Sequence, residues 1–318
     1  MQQHTGADAH PRLAALIERA RALAARPGAL ECAVGIVHPC DALALDAAQR
    51  IAASGFARPL LIGDADAIAA AAKAAGAALD GFEIEPVPGD ARAAAQRAVE
   101  LVHAGRVQAL MKGSLHTDEL MSAVVARANG MRTHTRISHA FVFDLPRYHK
   151  LIALADCVIN IAPHLPAKSD ILTNALGLLR ALGVANPKVG IVAAVETVNP
   201  AIPATVDAQA LVDEAKAGAW AGAIVEGPFG FDNAISAEAA RIKRMQSTVS
   251  GDADLLLMPD LNAGNMLYKS FNYIGGGDCA GLVLGAKVPI VLTSRADSTL
   301  SRIASVALAR LVVADRSA

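Results

Sequence analysis

Short apolar runs and alanine-rich helical runs take turns along the first third of the chain, and this alternation limits the fold more than any other feature. Leu13, Leu16, Ile17 and Leu23 mark an opening helix that stops at Pro27-Gly28. Cys32–Val37 reads as a buried strand, and Asp41 then caps a helix reaching about Ala53. Pro59–Ile62 repeats the strand, and Asp64 opens a helix ending near Gly76. Phe82–Val87, a helix from Asp90 to Gly105, and Ala109-Leu110-Met111 follow. Such alternation predicts a parallel sheet with helices on both faces. Ligands of such sheets sit at the C-terminal ends of the strands.

The second half continues with a different texture. Ile137–Phe143 is strand-like, 145–150 is a connector, and Leu151–Ile161 suits a second apolar strand with Asp156 and Asn160 at turns or edges. His164–Leu182 holds a helix, Val189–Ala193 a strand, and Ala204–Ala217 another helix. Ala221–Val225 reads as a strand with Glu226-Gly227-Pro228-Phe229 as its loop. Asp254–Met258 is a strand ending in Pro259–Asn265, and Met266–Phe271 is helical. At 318 residues the expectation is two α/β lobes. Their expected extents are 1–136 with 286–318, and 137–285, with the active site in the cleft between them.

Two strand ends carry chemistry. At Lys112-Gly113-Ser114 a glycine permits close backbone approach and a lysine supplies a cation, although the same residues suit a solvated loop. Thr117 is a plausible cap of the helix beyond. The second end lies in Gly281–Ser301. The apolar run Val288–Leu292 enters Thr293–Ser298, and Leu300 opens a helical pattern. Strand, polar turn and helix point backbone N–H groups at an anion. Arg295 adds a guanidinium fork that matches phosphate, and Ser294 adds a hydroxyl. The same turn also suits a surface loop whose serine or aspartate caps the last helix.

Composition narrows the classes. With 53% hydrophobic and 3% aromatic residues, the core must be built from Ala, Val, Leu and Ile. A balance of 29 basic and 30 acidic residues argues against nucleic-acid or membrane-surface partners. Cys32, Cys40, Cys157 and Cys279 form no C-x-x-C pair, which suggests reduced, buried thiols in the cytoplasm. No apolar run approaches the roughly 18 residues of a membrane span. The N-terminal MQQHTGADAHPR lacks signal-peptide regions and is expected to fray. No metal is expected: His38, His116, His139 and His164 show no ligand spacing, and Asp252 and Asp254 suit a solvated turn better than Mg²⁺. Gly275-Gly276-Gly277 precedes a strand, so it reads as a turn rather than a phosphate cradle.

Five blocks in order, LMKGSLHTDEL (110–120), AAVETVNPAIPATVDA (193–208), VEGPFGFDNAIS (225–236), GDADLLLMPDLNAGNMLYKS (251–270) and AKVPIVLTSRADS (286–298), resemble the phosphate acetyl/butyryltransferase family. Some also resemble the acyltransferase part of fused enoyl-CoA hydratase–acyltransferase proteins. The resemblance implies reversible conversion of acyl-CoA and phosphate into acyl phosphate and CoA, with acetyl the leading group and butyryl open. It implies CoA as a substrate with no bound cofactor, and a homodimer. It also implies two α/β lobes with an interlobe cleft, as in isocitrate and isopropylmalate dehydrogenases. Carried over by position, Ser294 would hydrogen-bond the reacting carbonyl or phosphate oxygen and Arg295 would bind phosphate. Lys112, Gly113, Asp260, Gly264 and Asn265 match cleft positions of the family, and Ser114 adjoins the first pair.

Two positions depart from the family pattern. Relatives commonly carry an aspartate six residues after the arginine, read as the base for the CoA thiol, where this chain has Ser301. Asp297 is the nearest carboxylate, and it serves either as a substitute base or as a cap of the final helix. Relatives also often carry an arginine where alignment gives Met121. Two rival readings follow. A metal-dependent dehydrogenase of the same fold would need clustered aspartates and a dinucleotide fingerprint. An acyl-CoA-binding regulator is favoured only by the missing aspartate.

Overall fold

The computed structural model describes residues 9–292, 294 and 296–317. In chain order the elements are α1 (Pro11–Ala24), β1 (Ala33–Val37), α2 (Ala42–Ser54), β2 (Arg58–Gly63), α3 (Ala65–Ala75), β3 (Glu83–Pro86), α4 (Ala91–His103), β4 (Ala109–Lys112) and α5 (Thr117–Val124). Next come β5 (Ser138–Asp144), β6 (Ile152–Ala155), α6 (Leu165–Ala181), β7 (Lys188–Val192), α7 (Pro203–Lys216), β8 (Ile224–Phe229), α8 (Phe231–Ile235), α9 (Ala237–Ile242), β9 (Leu255–Leu257) and α10 (Leu261–Tyr273). The chain closes with β10 (Asp278–Leu284), β11 (Ile290–Val291) and α11 (Thr299–Asp315). These group into two compact units, one of residues up to 137 together with 280 onward, the other of 138–279.

In the first unit the strands run β3-β2-β1-β4-β11-β10. All neighbours are parallel except β10 and β11, which meet antiparallel at Val283 and Ile290. The helices start where their aspartates dictate. Asp41, Asp64 and Asp90 accept the N–H groups of Ala44, Ala67 and Ala93, satisfying donors that the first helical turn leaves orphaned. Helix α11 is the buried axis of this unit: Ser301–Val313 are all buried, and it packs on α1, α2, β4 and β11. Its small residues let it lie close to the sheet. That packing fixes the end of β11 relative to the end of β4.

In the second unit the order is β5-β6-β9-β7-β8, parallel except for the β5–β6 pair. Its core gathers Phe143, Tyr148, Ile152, Leu154, Cys157, Phe229 and Leu256. Several sequence expectations need correction here. The strand expected over Leu151–Ile161 ends at Ala155, because the Asp156 carboxylate accepts the N–H groups of Val158 and Ile159 at 2.8 and 3.0 Å and folds the chain into a turn. Strand β8 runs through Glu226-Gly227-Pro228-Phe229, expected as loop, since a register shift opposite Gly190–Val192 carries pairing on to Phe229. Helices α8 and α9 are additional. Helix α10 begins at Leu261 rather than Met266, so Gly264 and Asn265 are helical.

Candidate active site

Strand β4 lies between β1 and β11, and beyond it the backbone keeps pairing with the end of β1. Gly113 N donates to Val37 O and Ser114 N to His38 O, both at 2.9 Å. No side chain fits at residue 113: a Cβ would lie 2.7 Å from His38 O and closer still to Val37 O. The glycine therefore serves close packing of two backbones. Ser114 Oγ donates to His38 O at 2.6 Å and accepts from Cys40 N at 3.1 Å, so this hydroxyl ties the β4 turn to the loop opening α2. Lys112 Nζ folds over the same turn, donating to Leu115 O at 3.2 Å. The cap of α5 is His116 rather than Thr117, and its N–H is held by Glu119 Oε2 at 2.8 Å.

The turn after β11 is organised by its own polar groups. Ser294 N donates to Asp297 Oδ2 at 2.6 Å, and Asp297 N returns a bond to Ser294 O at 3.2 Å. Ser294 Oγ accepts from Ala296 N at 3.3 Å, which leaves the hydroxyl's own hydrogen available to donate. The cap of α11 is Ser298, whose Oγ accepts from Ser301 N at 2.9 Å. Asp297 is therefore not the cap; it braces Ser294. Ser301 is buried in the first turn of α11. Arg295 lies outside the described residues.

The two turns meet in a pocket of about 280 Å³. Lys112, Gly113, Ser114, Ser294 and Asp41 line it, with Leu43, Met111 and Leu115 as apolar wall. Arg302, one turn into α11, completes the lining. It is only 6% exposed, and its Nη2 donates to Ser294 O at 3.3 Å. Sequence reading missed this residue. Its signal was an arginine set, like Arg310, among the mostly apolar residues of Leu300–Val313.

The remaining expected residues belong to the second unit, where each stabilises the start of α10. Asp260 caps it through Ala263 N at 3.0 Å. A Cβ on Gly264 would lie 2.5 Å from Asp156 O, so only glycine lets the helix approach that turn. Asn265 Nδ2 donates to Cys157 O at 3.1 Å. Among the described residues no group of three or more His, Cys, Asp or Glu could hold a metal. No described helix is long and apolar enough to cross a membrane. Asp252, considered for Mg²⁺, instead binds Lys188, Lys150 and His149 at 2.6–2.9 Å. These donors hold its carboxyl well below the usual carboxylate range.

The sequence profile of the Phosphate acetyl/butaryl transferase family matches residues 89–310. The chain belongs to this family. It is 49% identical over 283 residues to a phosphate acetyltransferase of Rhizobium meliloti, covering 89% of each chain. It is 37% identical to a phosphate butyryltransferase of Clostridium acetobutylicum, covering 89% of this chain and 94% of that one. In three dimensions it matches a branched-chain phosphotransacylase from Enterococcus faecalis V583 with a TM-score of 0.77 at 31% identity, over 89% of this chain and 99% of that one. Family membership removes the dehydrogenase as the leading rival. It also makes the two turns, one inside each of two matching sequence blocks, the natural place to look for chemistry.

Proposed function

We propose that this chain catalyses reversible transfer of a short acyl group, acetyl first, between coenzyme A and inorganic phosphate. The observation that carries the proposal is the pocket at the ends of β4 and β11, where Lys112, Ser294 and Arg302 converge. Strand ends of parallel sheets are where such folds bind ligands, and a cation, a hydroxyl and backbone donors are what a phosphate beside a thioester requires. The closer likeness to an acetyltransferase than to a butyryltransferase favours the two-carbon group.

In the forward direction a phosphate oxygen attacks the thioester carbonyl carbon. The tetrahedral intermediate collapses with cleavage of the C–S bond, and CoA leaves as a thiolate that takes up a proton. Lys112 and Arg295 hold the phosphate. Ser294 Oγ donates to the carbonyl oxygen as negative charge builds there. Gly113 and Ser114 hold the turn that carries Lys112, and Asp260, Gly264 and Asn265 support substrate binding by fixing the start of α10. In reverse, the CoA thiol must lose its proton. A thiol of pKa about 8.5 is only a few per cent ionised at neutral pH, and a general base contributes about 10²–10⁴-fold. Asp297, beside Ser294, is the carboxylate assigned to that task.

The working form is a cytoplasmic homodimer. Support comes from family membership and from the apolar Met266, Tyr273 and Ile274, exposed by 63, 66 and 86% at the surface of α10 and its end. A monomer by light scattering at micromolar concentration would remove the dimer. For the activity, CoA thiol release is followed with acetyl-, propionyl- and butyryl-CoA, with and without phosphate. Release should require phosphate and be fastest with acetyl-CoA. Release at the same rate without phosphate would sink the proposal.

A further inference from the structure

We infer that Arg302 is a substrate-contacting residue of this pocket, whose guanidinium binds the phosphate or acyl phosphate anion opposite Lys112. This deepens the acyl-transfer reading and rests on it for the identity of the anion.

Three observations carry it. Arg302 is 94% buried and lines the pocket, with its Nη2 bonded to Ser294 O on the turn after β11. The described charges lining the pocket are Lys112 and Arg302 against the single carboxylate of Asp41, so the lining is net cationic and suits an anion. Asp41 is committed to the first turn of α2 through Ala44 N at 2.8 Å. The volume of about 280 Å³ lies at the small end of ligand pockets. It fits a phosphate bearing a short acyl group better than the nucleotide portion of CoA. The apolar wall of Leu43, Met111 and Leu115 keeps the local dielectric low, which strengthens charge pairing and gives an acyl methyl a surface to contact. Arginine retains its charge in such surroundings.

The bond from Nη2 to Ser294 O offers a competing account, in which Arg302 merely positions the turn. Two variants separate them. Arg302→Gln keeps an N–H donor for Ser294 O and removes the charge. Arg302→Lys keeps the charge and gives up the planar fork. Both are assayed for CoA release at saturating acetyl-CoA with phosphate varied, and the reverse. Isothermal titration with inorganic phosphate alone is run on the same proteins.

The inference predicts a phosphate KM raised tenfold or more in Arg302→Gln and three- to tenfold in Arg302→Lys, with the KM for acetyl-CoA within twofold in both. Phosphate affinity by titration should fall in parallel. If the glutamine variant does not fold, the lysine variant decides by the same criterion. A loss confined to kcat, or an unchanged phosphate KM, would assign Arg302 to positioning and overturn the inference. If the wild type proves inactive toward every acyl-CoA, the acyl-transfer reading fails, and titration still decides the residue. Phosphate binding that Arg302→Gln weakens tenfold upholds the anion contact, and equal or absent binding overturns it.

Discussion

Replacing Gly113 by alanine tests whether the turn after β4 is held by backbone packing. The new methyl would sit 2.7 Å from His38 O and nearer still to Val37 O, and both neighbours are main chain with no rotamer to change. Overpacking of this kind costs about 1–3 kcal/mol. Moving the turn away would also stretch the bonds from Gly113 N and Ser114 N to β1, each worth about 0.5–1.5 kcal/mol. The sum is about 2–6 kcal/mol. A unit of 150–250 residues shifts about 2–4 °C per kcal/mol, so the transition of the first unit should fall by about 10 °C in a calorimetric scan. A displacement near 1 Å is enough to cost about 10²-fold in rate, so kcat should fall together with Tm. Gly177→Ala is the control: nothing lies within 4 Å of its Cβ site in α6, and it should gain up to about 1 kcal/mol. A Gly113→Ala enzyme that melts with the wild type and keeps its kcat/KM would refute the packing argument.

Arg295→Ala should raise the phosphate KM about ten- to a hundredfold, since a charge-assisted contact is worth about 1.5–3 kcal/mol; steady-state kinetics with unchanged melting check it. In the direction that consumes CoA, Asp297→Asn should lower the rate near pH 7 far more than it lowers Tm, because asparagine still accepts from Ser294 N but cannot take a proton. Ser301→Asp should raise kcat near pH 7 and do little at pH 9, where the thiol ionises unaided; a pH–rate profile reads both. His139 is buried on β5, and burial holds its pKa down to about 4 although Asp156 pushes it upward. Between about 6.5 and 4 the unfolded chain therefore binds a proton that the folded chain refuses, so stability is level above that window and falls by about 2–3 kcal/mol as pH drops through it. His139→Phe should flatten this acid limb in denaturant titrations at pH 7 and pH 5.

The sequence was most legible where one side chain decides local structure. Asp41, Asp64 and Asp90 each precede an alanine-rich run, and each caps the helix expected of it. It was least legible where tertiary pairing overrides a local signal. Gly227-Pro228 carries a strong turn signal, yet pairing with β7 draws it into β8. Gly264 and Asn265 are poor helix formers, which hid the true start of α10; the close approach to Asp156 explains the glycine, and the bond to Cys157 O the asparagine. Within the pocket, Lys112 and Ser294 were readable because one ends an apolar strand and the other follows one. Arg302 was not, since only the packing of α11 reveals which of its residues face the pocket. Asp297 and Ser298 both suit a cap of the final helix, and hydrogen-bond geometry alone gives the cap to Ser298.

The central claim is that phosphate, rather than water, accepts the acyl group. Phosphorus NMR of the protein with acetyl-CoA and inorganic phosphate tests it directly, with released thiol titrated in the same tube. The account predicts a growing acyl phosphate resonance that matches the thiol mole for mole and disappears when excess CoA is added. Thiol release with no acyl phosphate signal would make the protein a thioesterase and contradict the account.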